Sequence, residues 1–339
     1  MNIQQAIKAV IAKQDLNEKQ MTQVMNDIMT GKTTDAQIGG FLVGLSLKGE
    51  TVDEITAAAK VMRSLAKGVE VKNTEHLVDT CGTGGDGLGL FNISTACAFV
   101  VAAAGGSVAK HGNRSISSKS GSADVLEAAG VNLDMDVKNI SRCVAKIGVG
   151  FMFAPAHHSA MKYAIGPRKE LAVRTIFNVL GPLTNPAKAP YQVMGVYDKS
   201  LVEPIANVLK GLGSKHVMVV HSNDGLDEIS IADSTFVAEL KNGQVSTYHI
   251  NPTDLGLPLG NLNDITADDA ENSLTLIQQA LDGKQGAAKN IIALNAGAAI
   301  YVCGIADSLQ AGVDKAIKIL NSGAAHQKLD DFVRESTGC

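Results

Sequence analysis

The chain has 339 residues, of which 45% are hydrophobic and 19% charged, a composition that predicts a globular protein with a substantial core in one or two domains. Its net charge of −4, its 4% of aromatic residues and its lack of Trp weigh against a nucleic-acid binder. Widely spaced cysteines, no signal-peptide core and no apolar run of ~18 residues predict a cytoplasmic protein without disulfides, structural zinc or a membrane span.

The first 70 residues predict a helical domain. Ile3, Ile7 and Val10 recur at helical spacing, and Thr51 with Glu54 forms a capping box ahead of a further helical segment. Several short helices joined by small turns would form a bundle. Because a bundle of this size leaves an apolar face uncovered, we expect contact between two subunits there.

From about residue 75 onward, apolar runs bounded by glycine alternate with helical segments, which predicts an α/β domain over 75–339 with a mainly parallel central sheet. The predicted strands are "HLVDTCG", "SVAKHG", "VGFMFAP", "YQVMGVYD" and "HVMVVHS". The predicted helices include "STACAFVVAAAG", "SADVLEAAG" and "LVEPIANVLKGLG", and two long helical patterns follow Thr266. Residues 168–185 also have a helical pattern, and we expect them to join the N-terminal bundle.

The segment "DTCGTGGDG" at the end of the first predicted strand has the glycine spacing of a dinucleotide-binding turn. A dinucleotide site would place an acidic residue about 20 positions further on, but the chain there reads "SVAKHGNRS", which is basic. Asp86 also puts a carboxylate where a pyrophosphate would lie. We therefore expect a loop whose backbone amides bind a phosphorylated ligand at the start of the following helix.

The helix after this loop begins with Asn92, Ser94 and Thr95, which either cap it or bind phosphate oxygens or a hydrated cation. A second segment, "KHGNRSISSKSGS", combines cations with short donors, as a ligand with several phosphates requires. Its cations are Lys110, Arg114 and Lys119, and its donors are Ser115, Ser117 and Ser118. A solvated basic loop is the alternative, but the position after a strand favours a ligand site.

"SNDGLDEIS" supplies Asp224, Asp227 and Glu228 after another strand, and such oxygen ligands suit Mg²⁺ held through waters and substrate phosphates. An acidic surface turn is the alternative. His157 and His158 diverge by ~100° on a helix and should not form a metal-binding pair. We expect one of them to line the pocket and the other to face core or solvent. Arg168 is a candidate fork for a substrate carboxylate or an ordinary surface arginine.

The motifs "GTGGDG", "FNIST", "KHGNRSISS", "GPLTNP" and "DGLDE" resemble, in this order and over nearly the whole chain, the anthranilate phosphoribosyltransferase family. The resemblance implies the nucleoside phosphorylase-like fold of a class IV phosphoribosyltransferase, a hinge between its helical and α/β domains, and a homodimer joined through the helical domain. It implies transfer of the 5-phosphoribosyl group from 5-phosphoribosyl 1-diphosphate to anthranilate in tryptophan biosynthesis. It also implies Mg²⁺ as cofactor, in two ions.

Carried onto matching positions, the resemblance assigns anthranilate to Gly82, Asn113 and Arg168, and the metal to Ser94, Asp227 and Glu228. It assigns 5-phosphoribosyl 1-diphosphate to the glycine loop, the helix start and the basic segment. The residues are Gly82, Gly85, Asp86, Leu90, Asn92, Ile93, Ser94, Thr95, Lys110, His111, Gly112, Asn113, Arg114, Ser115, Ile116, Ser117, Ser118 and Ser122.

One position departs from the family pattern, because Leu90 stands before "FNIST" where the family usually has Thr. A hydroxyl contact to the phosphoribosyl substrate is therefore missing. Two alternative functions remain at this point. A pyrimidine nucleoside phosphorylase-like enzyme would use inorganic phosphate and leave Asp227 and Glu228 without a metal role. A non-catalytic paralogue would bind a phosphorylated ligand or nucleic acid only.

Overall fold

The N-terminal helices all begin with the same capping device. The computed structural model describes residues 1–115 and 119–338, and its first helices are α1 (Ile3–Ile11), α2 (Glu18–Met29), α3 (Asp35–Lys48) and α4 (Val52–Leu65). Each starts with a reciprocal capping box, which satisfies two backbone N–H groups that would otherwise lack partners. The box predicted at Thr51 and Glu54 is confirmed.

The central sheet contains five parallel strands followed by an antiparallel hairpin. The strands are β1 (Leu77–Gly82), β2 (Ser107–Gly112), β3 (Val149–Phe153), β4 (Tyr191–Gly195), β5 (His216–Ser222), β6 (Thr235–Lys241) and β7 (Gln244–Ile250), and their order is β3-β2-β1-β4-β5-β6-β7. β5, β6 and β7 pair antiparallel, and all other pairs are parallel. The mainly parallel sheet is confirmed, whereas β6 and β7 were not predicted.

The remaining helices connect and cover the strands. They are α5 (Ile93–Ala103), α6 (Ser122–Ala128), α7 (Val137–Ile147), α8 (Ala154–His157), α9 (Lys162–Leu171), α10 (Ile176–Leu183), α11 (Val202–Gly211), α12 (Ala270–Leu281), α13 (Ala287–Val302), α14 (Leu309–Ser322) and α15 (Ala324–Thr337). The prediction of two long C-terminal helices is wrong. The described chain has four there, because Gly283 and Gly323 adopt left-handed backbone angles and Ser308 caps a new start.

The predicted helix over 168–185 is also wrong as a single element. Ala172 takes a left-handed φ of 50° and ends α9, and a new helix, α10, starts at Ile176. We call α1–α4, α9 and α10 the helical half of the molecule, and the link at residues 172–175 contacts the glycine-rich loop. Both helices lie close to the N-terminal bundle, and Arg63 Nε of α4 donates a 2.6 Å hydrogen bond to the Leu183 carbonyl at the end of α10.

The two faces of the sheet bury two separate apolar cores. Successive side chains of β5 point to opposite faces of the sheet. Val217 and Val219 therefore lie in one core, and Met218 and Val220 lie in the other. The first core includes α5 and the C-terminal helices, and the second unites the N-terminal bundle with α10 and α11. Domain boundaries at about 70 and 75 therefore stay a prediction, since the second core extends across them.

The strand order creates a crevice at one edge of the sheet. The chain leaves β1 toward β2 on one side and leaves β4 toward β5 on the other, so their carboxyl ends mark the point where ligands bind in open α/β sheets. Gly82 and Gly195 face each other there, and the Thr83 N–H donates to the Gly195 carbonyl at 3.0 Å. The loops after β1, β2 and β5 all begin at this edge.

Candidate functional site

The glycine loop after β1 lies directly against the acidic loop after β5. A Cβ on Gly82 would lie 2.5 Å from Asp227 Oδ2, and a Cβ on Gly195 would lie 1.5 Å from the Asp227 carbonyl oxygen. Asp227 Oδ2 accepts a 2.7 Å hydrogen bond from the Gly84 N–H. Glycine at 82 and 195 thus makes room for Asp227 at the base of the crevice.

Three carboxyl groups meet at this point. Burial raises the pKa of Asp227 to about 6, with the neighbouring Asp86 as the second cause. Burial, followed by Asp227, raises the pKa of Glu228 to about 8. The pKa of Asp86 is also raised, mainly by burial. A carboxyl group held in this way gains stability from a cation, so the cluster is suited to a hard metal ion.

Polar groups at the start of α5 and the cation Lys110 of β2 lie beside these acids. Ser94 donates its backbone N–H to Glu228, and its Oγ accepts a 3.1 Å hydrogen bond from Lys110 Nζ. Lys110 is buried at the end of β2 and also donates to the Thr80 carbonyl. Thr95 Oγ1 is buried with no hydrogen-bond partner in the described part of the chain.

Asn92 occupies the position before α5 but does not cap it. Its Oδ1 accepts hydrogen bonds from Ser273 Oγ at 2.7 Å and from Ser120 Oγ at 3.0 Å, and no side chain caps the first turn. The capping interpretation of Asn92 is therefore wrong, because residues from α12 and the segment before α6 bind its side chain instead. Ile93, the first residue of α5, is buried in the core that includes α5 and the C-terminal helices.

The basic segment after β2 is partly held by acidic side chains. Arg114 Nη1 lies 2.6 Å from Glu127 and 3.3 Å from Asp124, and Lys119 pairs with Asp268. The Ser115 N–H donates to Asp124 at 2.9 Å. The number of cations in the sequence therefore overstates the positive charge that this segment offers to a ligand, because its carboxylate partners lie in α6 and before α12. The predicted contacts of the next three residues fall outside the described residues, which leave out Ile116, Ser117 and Ser118.

Asn113 and Ser122 lie at the turn between β2 and α6. Asn113 Oδ1 accepts the Arg114 N–H at 2.8 Å, and the Asn113 carbonyl accepts the Ser122 hydroxyl at 3.4 Å. At Gly112, a Cβ would lie 2.1 Å from Ser122 Oγ and 2.8 Å from the Phe151 ring. Glycine at position 112 therefore allows β2 and α6 to approach this closely.

The histidines form a buried neutral group beside the crevice. The rings of His111 and His158 lie 4.9 Å apart, and burial followed by the neighbouring histidines lowers the pKa of His111 to about 3. Burial also lowers the pKa of His158 to about 4. His157 Nδ1 lies 2.7 Å from the Lys67 carbonyl. Both adjacent histidines are buried, and which of them lines the pocket stays a prediction.

Arg168 of α9 is a half-buried cation on an aromatic ring. Its guanidinium carbon lies 5.4 Å from the centre of the Phe177 ring, and burial lowers its pKa. Within residues 1–115 and 119–338 no side-chain carboxylate pairs with this guanidinium. Such a group is suited to bind a carboxylate from outside the chain.

Two residues that the sequence interpretation missed also belong to this site. Arg174 Nη2 donates a 2.6 Å hydrogen bond to the Gly85 carbonyl. Asp79 of β1 is buried, and its Oδ2 accepts a 2.7 Å hydrogen bond from Asn185 Nδ2 beside Lys110. A charged residue inside a predicted buried strand was a signal for Asp79, but no sequence signal indicated that Arg174 reaches the glycine loop.

Leu90 is half-buried at the far end of the glycine loop. It forms an isolated antiparallel bridge with Thr266 and packs against the core that includes α5 and the C-terminal helices. Apolar contact therefore accounts for leucine here, and the effect of a hydroxyl at this position stays a prediction.

The described residues contain no group of three or more His, Cys, Asp or Glu that could hold a metal ion by themselves. The oxygens of Asp227, Glu228 and Ser94 still fit Mg²⁺ if substrate phosphates and waters complete its shell, which is the usual arrangement for this ion. Among the described residues, no helix is long and apolar enough to cross a membrane.

The chain matches two parts of a known family. The "Glycosyl transferase family, helical bundle domain" matches residues 4–66, and the "Glycosyl transferase family, a/b domain" matches residues 74–326. The chain is 80% identical over 339 residues to an anthranilate phosphoribosyltransferase of Ruthia magnifica subsp. Calyptogena magnifica, covering 100% of each chain. It is 64% identical over 334 residues to one of a Marinomonas species, covering 98% and 96%.

Solved structures share the fold. The crystal structure of anthranilate phosphoribosyltransferase from Thermus thermophilus matches with a TM-score of 0.93 and 39% identity, over 98% of this chain and 99% of that one. The enzyme from Saccharomyces cerevisiae, solved in complex with PRPP and Mg, matches with a TM-score of 0.90 and 23% identity, over 99% and 98%. The expected helical domain with a mainly parallel α/β domain is thus confirmed.

Proposed function

Because this chain belongs to the anthranilate phosphoribosyltransferase family, we propose that the glycine loop, the start of α5 and the loop after β5 hold its two substrates. The enzyme transfers the 5-phosphoribosyl group from 5-phosphoribosyl 1-diphosphate to the amine of anthranilate and releases diphosphate, a step of tryptophan biosynthesis. The identity to these transferases excludes the nucleoside phosphorylase and the non-catalytic paralogue as its main function.

The diphosphate binds between the glycine loop and the start of α5. The observation that carries this proposal is the buried cluster of Asp86, Asp227 and Glu228, whose carboxyl groups a cation would stabilise in their charged form. The first turn of α5 has no side-chain cap, and the positive end of its helix dipole favours an anion at the same place. Lys110 adds a fixed positive charge.

The remaining contacts to the phosphoribosyl substrate follow the family pattern, with Leu90 contributing apolar contact only. They come from Gly82, Gly85, Asn92, Ile93, Ser94, Thr95, His111, Gly112, Asn113, Arg114, Ser115, Ile116, Ser117, Ser118 and Ser122. Arg114 reaches a phosphate only after it leaves Glu127 or turns with the loop, since both ends of its guanidinium are paired.

Two Mg²⁺ ions serve the reaction, held by Ser94, Asp227 and Glu228 together with the substrate. The enzyme from Saccharomyces cerevisiae was solved with PRPP and Mg, which supports a magnesium-dependent substrate here. Magnesium at these residues would supply positive charge that offsets the negative charge developing on the diphosphate.

Anthranilate binds with its carboxylate on Arg168 and its ring toward Asn113 and Gly82. Its amine is neutral near pH 7 and requires no strong base, so the protein contributes position and charge rather than a nucleophile. Lys110 and the positive end of α5 stabilise the departing diphosphate, and His111 and His158 stay neutral beside the site.

The molecule acts as a homodimer in the cytoplasm, joined through the helical domain. Ile11 of α1 and Leu47 of α3 are large apolar side chains that are 69% and 78% exposed, and exposed apolar side chains that lie together mark interaction sites. A Cβ on Gly44, one turn before Leu47, would lie 3.8 Å from the Ile11 side chain, so the two exposed residues belong to adjacent helix surfaces.

The proposed function is tested by the fluorescence of anthranilate. Purified protein should consume it only when 5-phosphoribosyl 1-diphosphate and Mg²⁺ are both present. The double variant Asp227→Asn with Glu228→Gln should lose turnover while keeping its circular dichroism spectrum. Persistence of the signal with the wild-type protein and both additions would refute the function, and an active double variant would place the metal elsewhere.

A further inference from the structure

Arg174 connects two parts of the molecule that are distant in sequence. It lies in the link between α9 and α10, and its Nη2 donates to the Gly85 carbonyl at 2.6 Å. Its guanidinium carbon lies 3.9 Å from the centre of the Tyr197 ring, just after β4. A stacked guanidinium with a charge-assisted hydrogen bond is held in one orientation more firmly than an exposed arginine that makes neither contact.

The glycine loop needs such an external contact because its own backbone is permissive. Gly84, Gly85, Gly87 and Gly89 all have positive φ, at 67°, 83°, 75° and 65°. Glycine accepts these angles without steric cost but also accepts many others, so the loop loses much conformational freedom when it takes one shape. A residue that fixes one peptide of this loop reduces that loss when substrate binds.

The bond to Gly85 fixes a particular peptide unit. In a planar trans peptide the carbonyl and the following N–H point in opposite directions. With the Gly85 carbonyl turned toward Arg174, the Asp86 N–H must point away from Arg174. The Asp86 side chain lies in the carboxyl cluster with Asp227, on the crevice side of the loop. The geometry therefore presents an amide donor beside the acids.

We propose that Arg174 is a positioning residue for the diphosphate, which orients the Gly85–Asp86 peptide so that its N–H serves the bound phosphate. This inference rests on the proposed function of the glycine loop. Arg174 itself touches neither substrate and acts through the backbone of Gly85.

Arg174 also lies on the same chain segment as a proposed contact to the second substrate, anthranilate. Arg168, the proposed partner of the anthranilate carboxylate, lies on α9 and stacks on Phe177 of α10, so both arginines belong to one continuous segment. α10 packs in the core of the helical half, and the glycine loop belongs to the α/β half. A shift of the link at residues 172–175 therefore moves a contact to each substrate site.

Steady-state kinetics of Arg174→Ala and Arg174→Lys test the inference. We expect Arg174→Ala to raise KM for 5-phosphoribosyl 1-diphosphate about tenfold, the scale of one hydrogen bond to a charged group, with KM for anthranilate changed by less than about twofold. Arg174→Lys keeps a charge but not the planar stack, so it should recover only part of the loss. Lys169→Ala, an exposed change in the same segment, is the matched control and should behave as wild type.

Two further measurements separate positioning from structure. Calorimetric binding of 5-phosphoribosyl 1-diphosphate with Mg²⁺ should weaken in Arg174→Ala by the same factor as KM, while the melting temperature should stay near wild type because Arg174 is exposed. Unchanged binding, or equal changes in both Michaelis constants, would overturn the inference. An inactive wild-type protein would instead overturn the proposed function.

Discussion

Asp227 is enclosed by two glycines whose missing side chains define its position. The Cβ of an alanine at 195 would lie 1.5 Å from the Asp227 carbonyl oxygen, and this neighbour is backbone, which cannot rotate away. A change at position 195, which is not among the proposed substrate contacts, can thus displace a proposed metal ligand. The same reasoning applies less strongly at Gly82, where the nearest atom belongs to the Asp227 side chain.

Gly195→Ala is expected to lower both stability and activity. The clash must move the loop after β5, and overpacking of this kind costs about 1–3 kcal/mol. Melting temperature and activity at saturating Mg²⁺ measure the two effects. Gly39→Ala is the matched control, because a Cβ there meets nothing within 4 Å in the middle of α3 and should stabilise the helix slightly. Normal activity in Gly195→Ala would show that the loop has room to shift.

Arg168→Ala is expected to weaken anthranilate binding selectively. A charged fork to a carboxylate contributes roughly 1.5–3 kcal/mol, so KM for anthranilate should rise roughly tenfold to a hundredfold. KM for 5-phosphoribosyl 1-diphosphate should change little. The loss of contact with the Phe177 ring is a separate effect, which Arg168→Met tests by keeping an apolar stem there. Parallel increases of both constants would contradict the assignment.

At the scale of elements, the predicted strands and short helices of the α/β half were found because buried parallel strands read as apolar runs between glycines. The β6 and β7 hairpin was missed because its outer strand, β7, alternates polar residues without a strong apolar run. The four C-terminal helices merged into two in the prediction because turns as short as the one at Gly323 interrupt the helical pattern only briefly.

The site was predictable as a set of motifs but not as a set of partners. Glycine spacing and the acidic and basic segments identified the loops that the strand order brings together. The pairing of Arg114 with Glu127, and the contact of Arg174 with Gly85, depend on the packing of elements that are distant in sequence. Local patterns carry no information on such contacts.

Ala172→Gly is expected to stabilise the protein. Ala172 ends α9 with φ of 50°, where a Cβ costs about 1 kcal/mol and glycine does not. The melting temperature should rise by a few degrees at most, since glycine also gains entropy in the unfolded chain. Ala145→Gly, at an exposed position inside α7, should lower it. A decrease in both variants would show that the link is not strained.

At the scale of the whole molecule, burial of carboxyl groups predicts a pH dependence that magnesium modifies. The pKa of Glu228 is raised from 4.5 to about 8, so the folded protein binds its proton more tightly than the unfolded chain does. That contribution to stability is fully present below pH 4.5 and is lost as the pH rises through 8. His111 and His158 act in the opposite direction, but only below their ordinary pKa of 6.5.

The melting temperature of the metal-free protein should therefore fall between pH 6.5 and 8, a window that lies above the pKa of about 6 of Asp227 and above the ordinary pKa of histidine. Glu228→Gln should flatten the fall, because an amide does not titrate. Mg²⁺ with diphosphate should also reduce it, since a cation compensates the ionised carboxylate. A slope unaffected by Glu228→Gln would refute the raised pKa.

Leu47→Glu is expected to weaken the proposed association of two subunits. A charge on an apolar contact surface costs its desolvation, so the apparent mass by light scattering should shift toward the monomer at low concentration. Ile11→Glu on the adjacent helix should act in the same direction. Leu259→Glu, which changes an apolar side chain that is 63% exposed outside the helical half, is the control. If neither Leu47→Glu nor Ile11→Glu changes the apparent mass of a dimer, the subunit interface lies on another surface.

The core that unites the N-terminal bundle with the second face of the sheet has a consequence for synthesis on the ribosome. Its members range from Ile3 to Leu240, so the apolar residues of the first helices that face α11 and the sheet stay uncovered until β6 has emerged. At translation rates of roughly 5–20 residues per second, the delay is on the order of 10–40 s. During that time the nascent bundle exposes an apolar surface that chaperones would bind, and a rare-codon pause between α4 and β6 would lengthen its exposure to aggregation.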